Sequence, residues 1–394
     1  MSTPGPGNPF EGMPLFGEVA KLFASQGPLN WDLARQVAPW VANDGAPEAN
    51  VDPLWRMRVE ELARVADLHV ADASGLSTTV TGHPLTIRAV GRADWATLTL
   101  HAWKPLLETL ARSLSTAKLA DRPGADDDEP PDPTAALLGN LGQVVSPVLL
   151  GLQAGFMVGH LAREALGQYV FPVPRGASDE LLVVAPNIDA FAGDWSLPVD
   201  DVRLWVCLNE IAHHAVIGLP HVRARLDALL SEYVSSFEVN PDAFEQRLGT
   251  IDPTDPMALQ SAFSDPESLL GAFQTVGQQR VRAELAALTQ AIEGYVDHVM
   301  DTIGGRLVGS YASLTEALRR RRASRGEGDR FVERLFGLEL GQRQYERGNA
   351  FVRGVAERAG GSGLARLWAS ERELPTPAEI EAPGLWLARI DLDA

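Results

Sequence analysis

The sequence predicts a mainly α-helical fold with a small β component. Apolar residues recur at helical spacing over most of the 394 residues, which is typical of amphipathic helices. Strand-favouring residues concentrate in two short segments, 76–90 and 181–184. No repeat at a fixed period is visible, so the helices are not copies of one unit.

The N-terminal segment differs in composition from the rest of the chain. Residues 1–13 are rich in Gly and Pro, which favours a mobile segment. Residues 14–40 carry short apolar clusters at helical spacing that could dock onto the body, and residues 43–50 are typical of a loop. We therefore predict a flexible N-terminal arm over residues 1–50 and a single, mostly helical domain over residues 51–394.

The first part of this domain combines helices with one extended segment. Residues 52–72 carry an apolar stripe with the helical period, and a second helix is predicted over 92–119. Between them, residues 76–90 are rich in β-branched side chains, which favours short strands. Residues 121–134, DRPGADDDEPPDPT, combine charge and proline with few apolar groups, which predicts an exposed, acidic, Pro-rich loop.

Helices dominate the second part as well. The helix predicted over 137–169 contains many small residues, which would let another helix approach closely. Residues 181–184 form the clearest strand of the chain and are followed by the turn-like sequence Ala185-Pro186-Asn187. The remaining helices are predicted over 198–217, 221–235, 277–303, 313–325, 330–345 and 347–359.

Composition and charge exclude several classes of function. The net charge of −18 repels phosphate backbones and anionic lipids, so neither nucleic acid nor a membrane is an expected partner. Cys207 is the one cysteine, which excludes an internal disulfide, and it is expected to be a buried small residue. The first residues lack the basic and apolar regions of a signal peptide, so we expect a cytoplasmic protein.

The segment 198–217, PVDDVRLWVCLNEIAHHAVI, carries the functional argument. Pro198 suits a first helical turn, and Gly218-Leu219-Pro220 ends the helix. The predicted apolar side consists of Leu204, Leu208, Ile211, Ala212, Ala215 and Val216, and the polar side of Asn209, Glu210, His213 and His214. Since residues four apart lie above one another on a helix, the side chains of Asn209 and His213 point toward the same object.

This spacing is that of the zincin helix. In that motif two histidines at i and i+4 bind zinc, and the glutamate at i+1 acts as the general base toward a metal-bound water. The metal lowers the pKa of that water to about 7. In this sequence Glu210 and His213 match the motif, but Asn209 occupies the first ligand position. An asparagine carbonyl is a poor zinc ligand, so the sequence predicts a degenerate metal site.

Three segments resemble a known family: FMVGHLAREALGQYVFPVPR (156–175), LLVVAPNIDAFAGDWSLPVDDVRLWVCLNEIAHHAVIGLPHVRARL (181–226) and EGYVDHVMD (293–301). They resemble an actinobacterial family of zincin-like, zinc-dependent metalloproteases and hydrolases, some of which are linked to biosynthesis of a deazaflavin coenzyme. The similarity extends over nearly all of residues 51–394. It implies a zincin-like core with an active-site helix and a second ligand-bearing helix, zinc as cofactor, and a peptide or protein substrate.

The resemblance also implies where a third ligand lies. Gluzincins take it from the glutamate of a Glu-x-x-x-Asp pattern on a second helix, and residues 293–297 fit this pattern, so Glu293 becomes the predicted ligand. Asp297 is expected to orient His213 or Glu293. We expect His214 to pair with Glu210 or face solvent. His160 is the reserve ligand, because its glycine-rich helix could pack near the site.

Two functions stay open on this basis. The first is peptide hydrolysis, with Glu210 as base, a metal held by His213, Glu293 and the degenerate position 209, and an extended peptide bound along the edge of strand 181–184. The second is a pseudoenzyme that uses the scaffold for binding or assembly. A role in deazaflavin coenzyme metabolism depends on relatives alone, since no Gly-rich dinucleotide loop follows a strand. The substrate, zinc occupancy and oligomeric state stay open.

Overall fold

The computed structural model describes residues 27–120, 133–237, 276–323, 327–338 and 340–392. These residues are mostly helical and include one small sheet, which confirms the predicted fold class. The first helices are α1 (Trp31–Ala42), α2 (Pro53–Ser74), α3 (Arg92–Ala120), α4 (Pro133–Glu164) and α5 (Ala185–Asp194). They are followed by α6 (Val199–Ile217), α7 (Pro220–Ser235), α8 (Val276–Leu307), α9 (Tyr311–Ala323), α10 (Glu327–Phe336), α11 (Gln342–Arg366), α12 (Pro377–Glu381) and α13 (Pro383–Leu392).

Most predicted segments agree with these elements, with three kinds of exception. Only Thr86–Val90 of the segment 76–90 forms a strand. The helix predicted over 330–345 ends at Phe336, where Gly337 takes a positive φ, and the next helix already begins at Gln342.

Some other ends also differ. The helix predicted to continue to residue 169 ends at Glu164, because the chain then runs beside a strand. The sequence Ala185-Pro186-Asn187 begins α5 instead of forming a turn, since proline is tolerated in the first helical turn. Residues 1–26 of the predicted arm and 121–132 of the predicted acidic loop lie outside the described residues.

The sheet consists of β1 (Thr86–Val90) and β2 (Glu180–Val184), which run parallel with Ile87 paired to Leu181. The other side of β2 is also occupied. Gly167 forms an antiparallel bridge with Val183, and the backbone N–H of Val184 donates to the Leu166 carbonyl at 2.9 Å. The C-terminal end of β2 is therefore paired on both sides, which leaves no continuous free edge for the predicted binding of an extended peptide.

Helix α1 lies in the segment predicted to be a flexible arm, and it packs against α4. The small residues of α4 make this contact possible. A Cβ atom on Gly155 would lie 2.7 Å from the Cβ of Val37, and one on Gly159 would lie 2.6 Å from the Cβ of Val41. The close approach of another helix predicted from these glycines is therefore made by α1.

Helix α6 lies at the centre of the fold and contacts α2, α5, α7, α8 and β2. Its predicted apolar side is buried, and so are Cys207, Glu210, His213 and His214 on its other sides. The polar side therefore faces other protein elements and not bulk solvent. None of the described helices is long and apolar enough to cross a membrane.

Helices α8 and α11 pack closely, and this brings α11 near the polar residues of α8. The two helices meet at Gly294 and Gly348, where a Cβ on Gly348 would lie 2.1 Å from the carbonyl oxygen of Gln290. A backbone atom cannot move aside as a side chain can. We expect Gly348→Ala to lower the free energy of unfolding by about 1–3 kcal/mol, measured by urea denaturation.

The matched control for this prediction is Gly305→Ala on α8, the other helix of this contact. A Cβ at Gly305 meets no atom within 4 Å, and alanine has the higher helix propensity. We expect this control to unfold at the same or a slightly higher urea concentration. Equal unfolding midpoints for the Gly348 and Gly305 variants would show that the close helix contact is not needed.

Candidate functional site

Helices α6 and α8 bring the predicted site residues together in one cleft. Glu210, His213 and Glu293 are only 3%, 3% and 5% exposed. The Nε2 atom of His213 lies 3.3 Å from Oε1 of Glu293. The structure thus places the glutamate of α8 directly opposite the histidine of α6, as the zincin arrangement requires.

The imidazole of His213 is held in one orientation. Its Nδ1 lies 2.9 Å from the backbone carbonyl of Asn209, one turn earlier, and donates to it while Nε2 faces Glu293. The ring of Tyr169 stacks on the imidazole with centroids 5.8 Å apart. Burial alone would lower the pKa of His213, but the charge and hydrogen bond of Glu293 outweigh it and raise the pKa to about 9.

Glu210 is held by a backbone turn that the sequence did not predict. Its Oε2 accepts hydrogen bonds from the backbone N–H groups of Gln168 and Tyr169, both at 2.9 Å. Burial raises the pKa of Glu210, whereas the nearby positive charge of His213 and these N–H groups oppose that rise. A Cβ on Gly167 would lie 2.2 Å from the Glu210 carboxyl carbon, so this glycine permits the contact.

Asn209 occupies the degenerate position at the rim of the cleft and is partly exposed. Its side-chain Nδ2 lies 3.5 Å from Oε1 of Glu210, at the upper limit of a hydrogen bond. The amide nitrogen, which cannot bind a metal, is therefore the atom directed toward the neighbouring carboxylate.

Among the described residues, Asp297 forms no hydrogen bond with His213 or Glu293, the two side chains that it was predicted to orient. Its two oxygens accept from Nδ2 of Asn349 at 3.1 Å and from the guanidinium of Arg322 at 3.5 Å. Arg322 also lies over the ring of Tyr345, 3.9 Å from the centroid. Burial lowers the pKa of Arg322, but the negative charges around it, including that of Glu293, give a net rise.

The other two candidate histidines lie away from the Glu293 carboxylate. His214 is buried and pairs neither with Glu210 nor with solvent, because its Nδ1 lies 2.9 Å from the Tyr169 hydroxyl and its Nε2 lies 3.6 Å from Asp179. His160, the reserve ligand, is exposed on α4 and is not among the residues lining the cleft. Its glycine-rich helix packs on α1 through the glycines and leaves the imidazole outside.

The cleft encloses a cavity of about 140 Å³. An apolar cavity of about 150 Å³ accommodates benzene, so this space suits one amino-acid side chain. Charged and polar groups from α6, α8 and α9 lie on one part of its wall. Apolar groups form the rest, among them Leu161, Ala165, Leu166, Val170, Phe171, Trp205, Val206 and Leu318.

The donor atoms allow a test of whether zinc fits. Two ligands bound to tetrahedral zinc lie about 3.4 Å apart, and the 3.3 Å between His213 Nε2 and Glu293 Oε1 matches this separation. A third strong donor is missing, because Asn209 offers only a neutral amide oxygen, which is a poor zinc ligand. Among the residues that the structure describes, no group of three His, Cys, Asp or Glu side chains could hold a metal ion. The residues present therefore do not fit a three-ligand zinc site.

Comparison with known proteins gives the family. The profile of the zincin-like metallopeptidases matches residues 29–387. The chain belongs to this zincin-like metallopeptidase family. Zinc use is general in that family, whereas the geometry above departs from it at position 209.

One solved structure is also similar to this zincin-like chain. It is described as a "putative hydrolase with a novel fold" from Chloroflexus aurantiacus, and it shares 25% sequence identity with a TM-score of 0.63. The match covers 92% of this chain and 99% of that one. None of the curated proteins compared with the zincin-like chain matches it. The expected actinobacterial source and the deazaflavin link stay predictions.

Asp179 gives this zincin-like chain a testable pH dependence. The carboxylate accepts from the backbone N–H groups of Val80 at 2.5 Å, Thr81 at 3.0 Å and His83 at 3.2 Å, and from the Thr81 hydroxyl. Burial raises the pKa of Asp179, but these hydrogen bonds outweigh it and lower the pKa from 3.8 to about 2. Because the folded-state pKa is depressed, the stabilisation is present above pH 3.8 and is lost as the pH falls toward 2.

We therefore expect the stability difference between the parent and Asp179→Asn to shrink as the pH falls from 5 to about 2. Urea denaturation of both proteins across this range measures the difference. The other carboxylates are the same in both proteins, so their contributions to the free energy of unfolding cancel in the difference. A difference that stays constant with pH would contradict the assignment.

Proposed function

We propose that this chain is a pseudoenzyme of the zincin-like metallopeptidase family that binds a peptide or protein segment in the α6–α8 cleft without hydrolysing it. One observation carries the proposal. Asn209 stands at the first ligand position of the motif, where its neutral amide replaces the zinc-binding imidazole. A zincin site needs three protein ligands, and only His213 and Glu293 remain.

The charges of the cleft compensate one another without a metal. His213 pairs with Glu293, Arg322 pairs with Asp297, and two backbone N–H groups satisfy Glu210. Buried charges are tolerated when they are paired and hydrogen-bonded in this way. The cluster can therefore persist as a structural feature of a binding cleft.

The shape of the cleft and the family together support the class of ligand. Relatives of this family are metallopeptidases by description, and peptides are their substrates. The cavity of about 140 Å³ has an apolar wall that includes Phe171 and Trp205, next to charged side chains. Such a pocket suits one side chain of a bound peptide, with polar groups fixing its orientation.

Metal-dependent peptide hydrolysis is the second candidate. The 3.3 Å separation of His213 Nε2 and Glu293 Oε1 favours it, since this is the spacing of two ligands on one zinc ion. It would require a further donor in addition to these two. Glu210 is the residue that would serve as base, and its Oε1 is the oxygen not held by the backbone turn.

Incubation with a mixture of peptides separates the two candidates. Tag-free parent protein, with and without added zinc sulfate, is expected to give no more cleavage than Glu210→Gln or His213→Ala, as followed by mass spectrometry. Peptides from the same mixture should be retained on immobilised parent and reduced on Asn209→Trp, which fills the cleft. Zinc-stimulated cleavage that disappears in Glu210→Gln would establish the hydrolase instead.

A further inference from the structure

A second cavity, of about 130 Å³, shares Tyr169 with the wall of the cleft. Tyr169 lines both spaces: its ring stacks on His213, and its hydroxyl contacts His214, which lines the second cavity. The polar part of the second cavity's wall includes Gln168, Arg175, Ser178 and Arg223. We call this space the Arg175 cavity.

Arg175 is a cation without a carboxylate partner in the described part of the chain. Its guanidinium donates to the Thr99 hydroxyl at 2.7 Å and lies 5.7 Å from the centre of the Trp95 ring. Its Nε is buried and has no hydrogen-bond partner. Burial lowers the pKa of Arg175 to about 10, against the opposing effects of Tyr169 and the Glu210 charge, so this partly exposed side chain stays charged at neutral pH and can bind an anion.

Arg223, in the first turns of α7, adds a second positive charge to the same cavity. Among the described residues it forms no ion pair, although Asp227 lies one turn further along α7. Glu180 also lines the cavity, but its carboxylate faces Arg88 at 3.6 Å. The Asp179 carboxylate accepts hydrogen bonds from backbone N–H groups of residues 80–83.

His214 adds a buried imidazole whose Nε2 is directed toward the Asp179 carboxylate. Its Nε2 has no hydrogen-bond partner among the described residues, since Asp179 lies 3.6 Å away, beyond hydrogen-bond distance. The cavity therefore combines two guanidinium groups with a buried imidazole and a tyrosine hydroxyl. The two guanidinium groups form no ion pair among the described residues. In a protein of net charge −18 they create a local positive potential that attracts an anion.

We propose that the Arg175 cavity binds an oxyanion, a phosphate or carboxylate group, between the guanidinium groups of Arg175 and Arg223. Guanidinium groups bind both anions through charge-assisted hydrogen bonds. The cavity volume fits one such group with a small substituent. Arg175 and Arg223, on which this proposal depends, do not line the α6–α8 cleft, so the proposal does not depend on the function proposed for that cleft.

Isothermal titration at pH 7 with inorganic phosphate and with N-acetylglycine tests the proposal. We expect one saturable site, with affinity for the bound anion reduced at least about tenfold in Arg175→Gln and in Arg223→Gln. Arg306→Gln is the matched control, because it removes an exposed positive charge far along the chain on α8. N-acetylglycinamide, which lacks the charge, should not bind.

The two anions distinguish the sources of the ligand. Binding of phosphate alone indicates a phosphorylated ligand, and binding of N-acetylglycine indicates a carboxylate; either supports the oxyanion site. Arg223 is only partly buried, so its variant keeps the test valid if Arg175→Gln does not fold. Absence of binding by both anions, or equal affinity in Arg223→Gln and Arg306→Gln, would overturn the proposal.

Discussion

Asn209→His is expected to raise the affinity of this chain for zinc by at least about 100-fold, because loss of an outer hydrogen-bond partner alone costs a zinc site about 10–100-fold and a direct ligand contributes more. An imidazole at position 209 lies one helical turn before His213, on the same side of α6. With Glu293 opposite, it would complete the three ligands of a zincin.

Equilibrium dialysis of tag-free protein against zinc, followed by elemental analysis, measures this gain. Asn209→Gln is the matched control, because it keeps an amide at the position and extends it by one methylene. We expect zinc bound by Asn209→His to disappear again in the double variant Asn209→His, His213→Ala. Equal zinc binding by the two position-209 variants would show that the asparagine is not what prevents metal binding.

Glu210→Ala is expected to lower the free energy of unfolding by about 2–5 kcal/mol, since it leaves two buried N–H groups without an acceptor. The donors are the backbone groups of Gln168 and Tyr169, and both residues are buried. The proposed pseudoenzyme thus keeps Glu210 as a structural acceptor.

Glu210→Gln is the isosteric control for this effect. The amide oxygen can accept both backbone hydrogen bonds, and Asn209 can turn its own amide over to accept from the new NH₂ group. We expect its free energy of unfolding to lie within about 1 kcal/mol of the parent. Urea denaturation checks both variants, and equal losses for the alanine and glutamine variants would refute the structural role.

The face of α6 and its relation to α8 were predictable from sequence. Residues four apart share a helical face, so Asn209 and His213 had to point the same way. The family resemblance then directed attention to Glu293, and the structure places it 3.3 Å from His213. Local periodicity was sufficient for the face of α6, because that motif lies within a single helix, whereas the choice of Glu293 depended on the resemblance.

Contacts supplied by other segments were not predictable in the same way. The turn at Gln168 and Tyr169 lies some forty positions from Glu210, and an isolated glycine such as Gly167 has many uses besides a close approach. Arg322 lies in a run of arginines typical of a solvated helix face, yet it reaches Asp297. The exposed position of His160 likewise depends on which side of α4 receives α1.

Elemental analysis of tag-free parent protein immediately after purification decides whether the degenerate site binds zinc. We expect far less than one zinc per chain and no change in His213→Ala. One zinc per chain in the parent, lost in His213→Ala, would contradict this expectation.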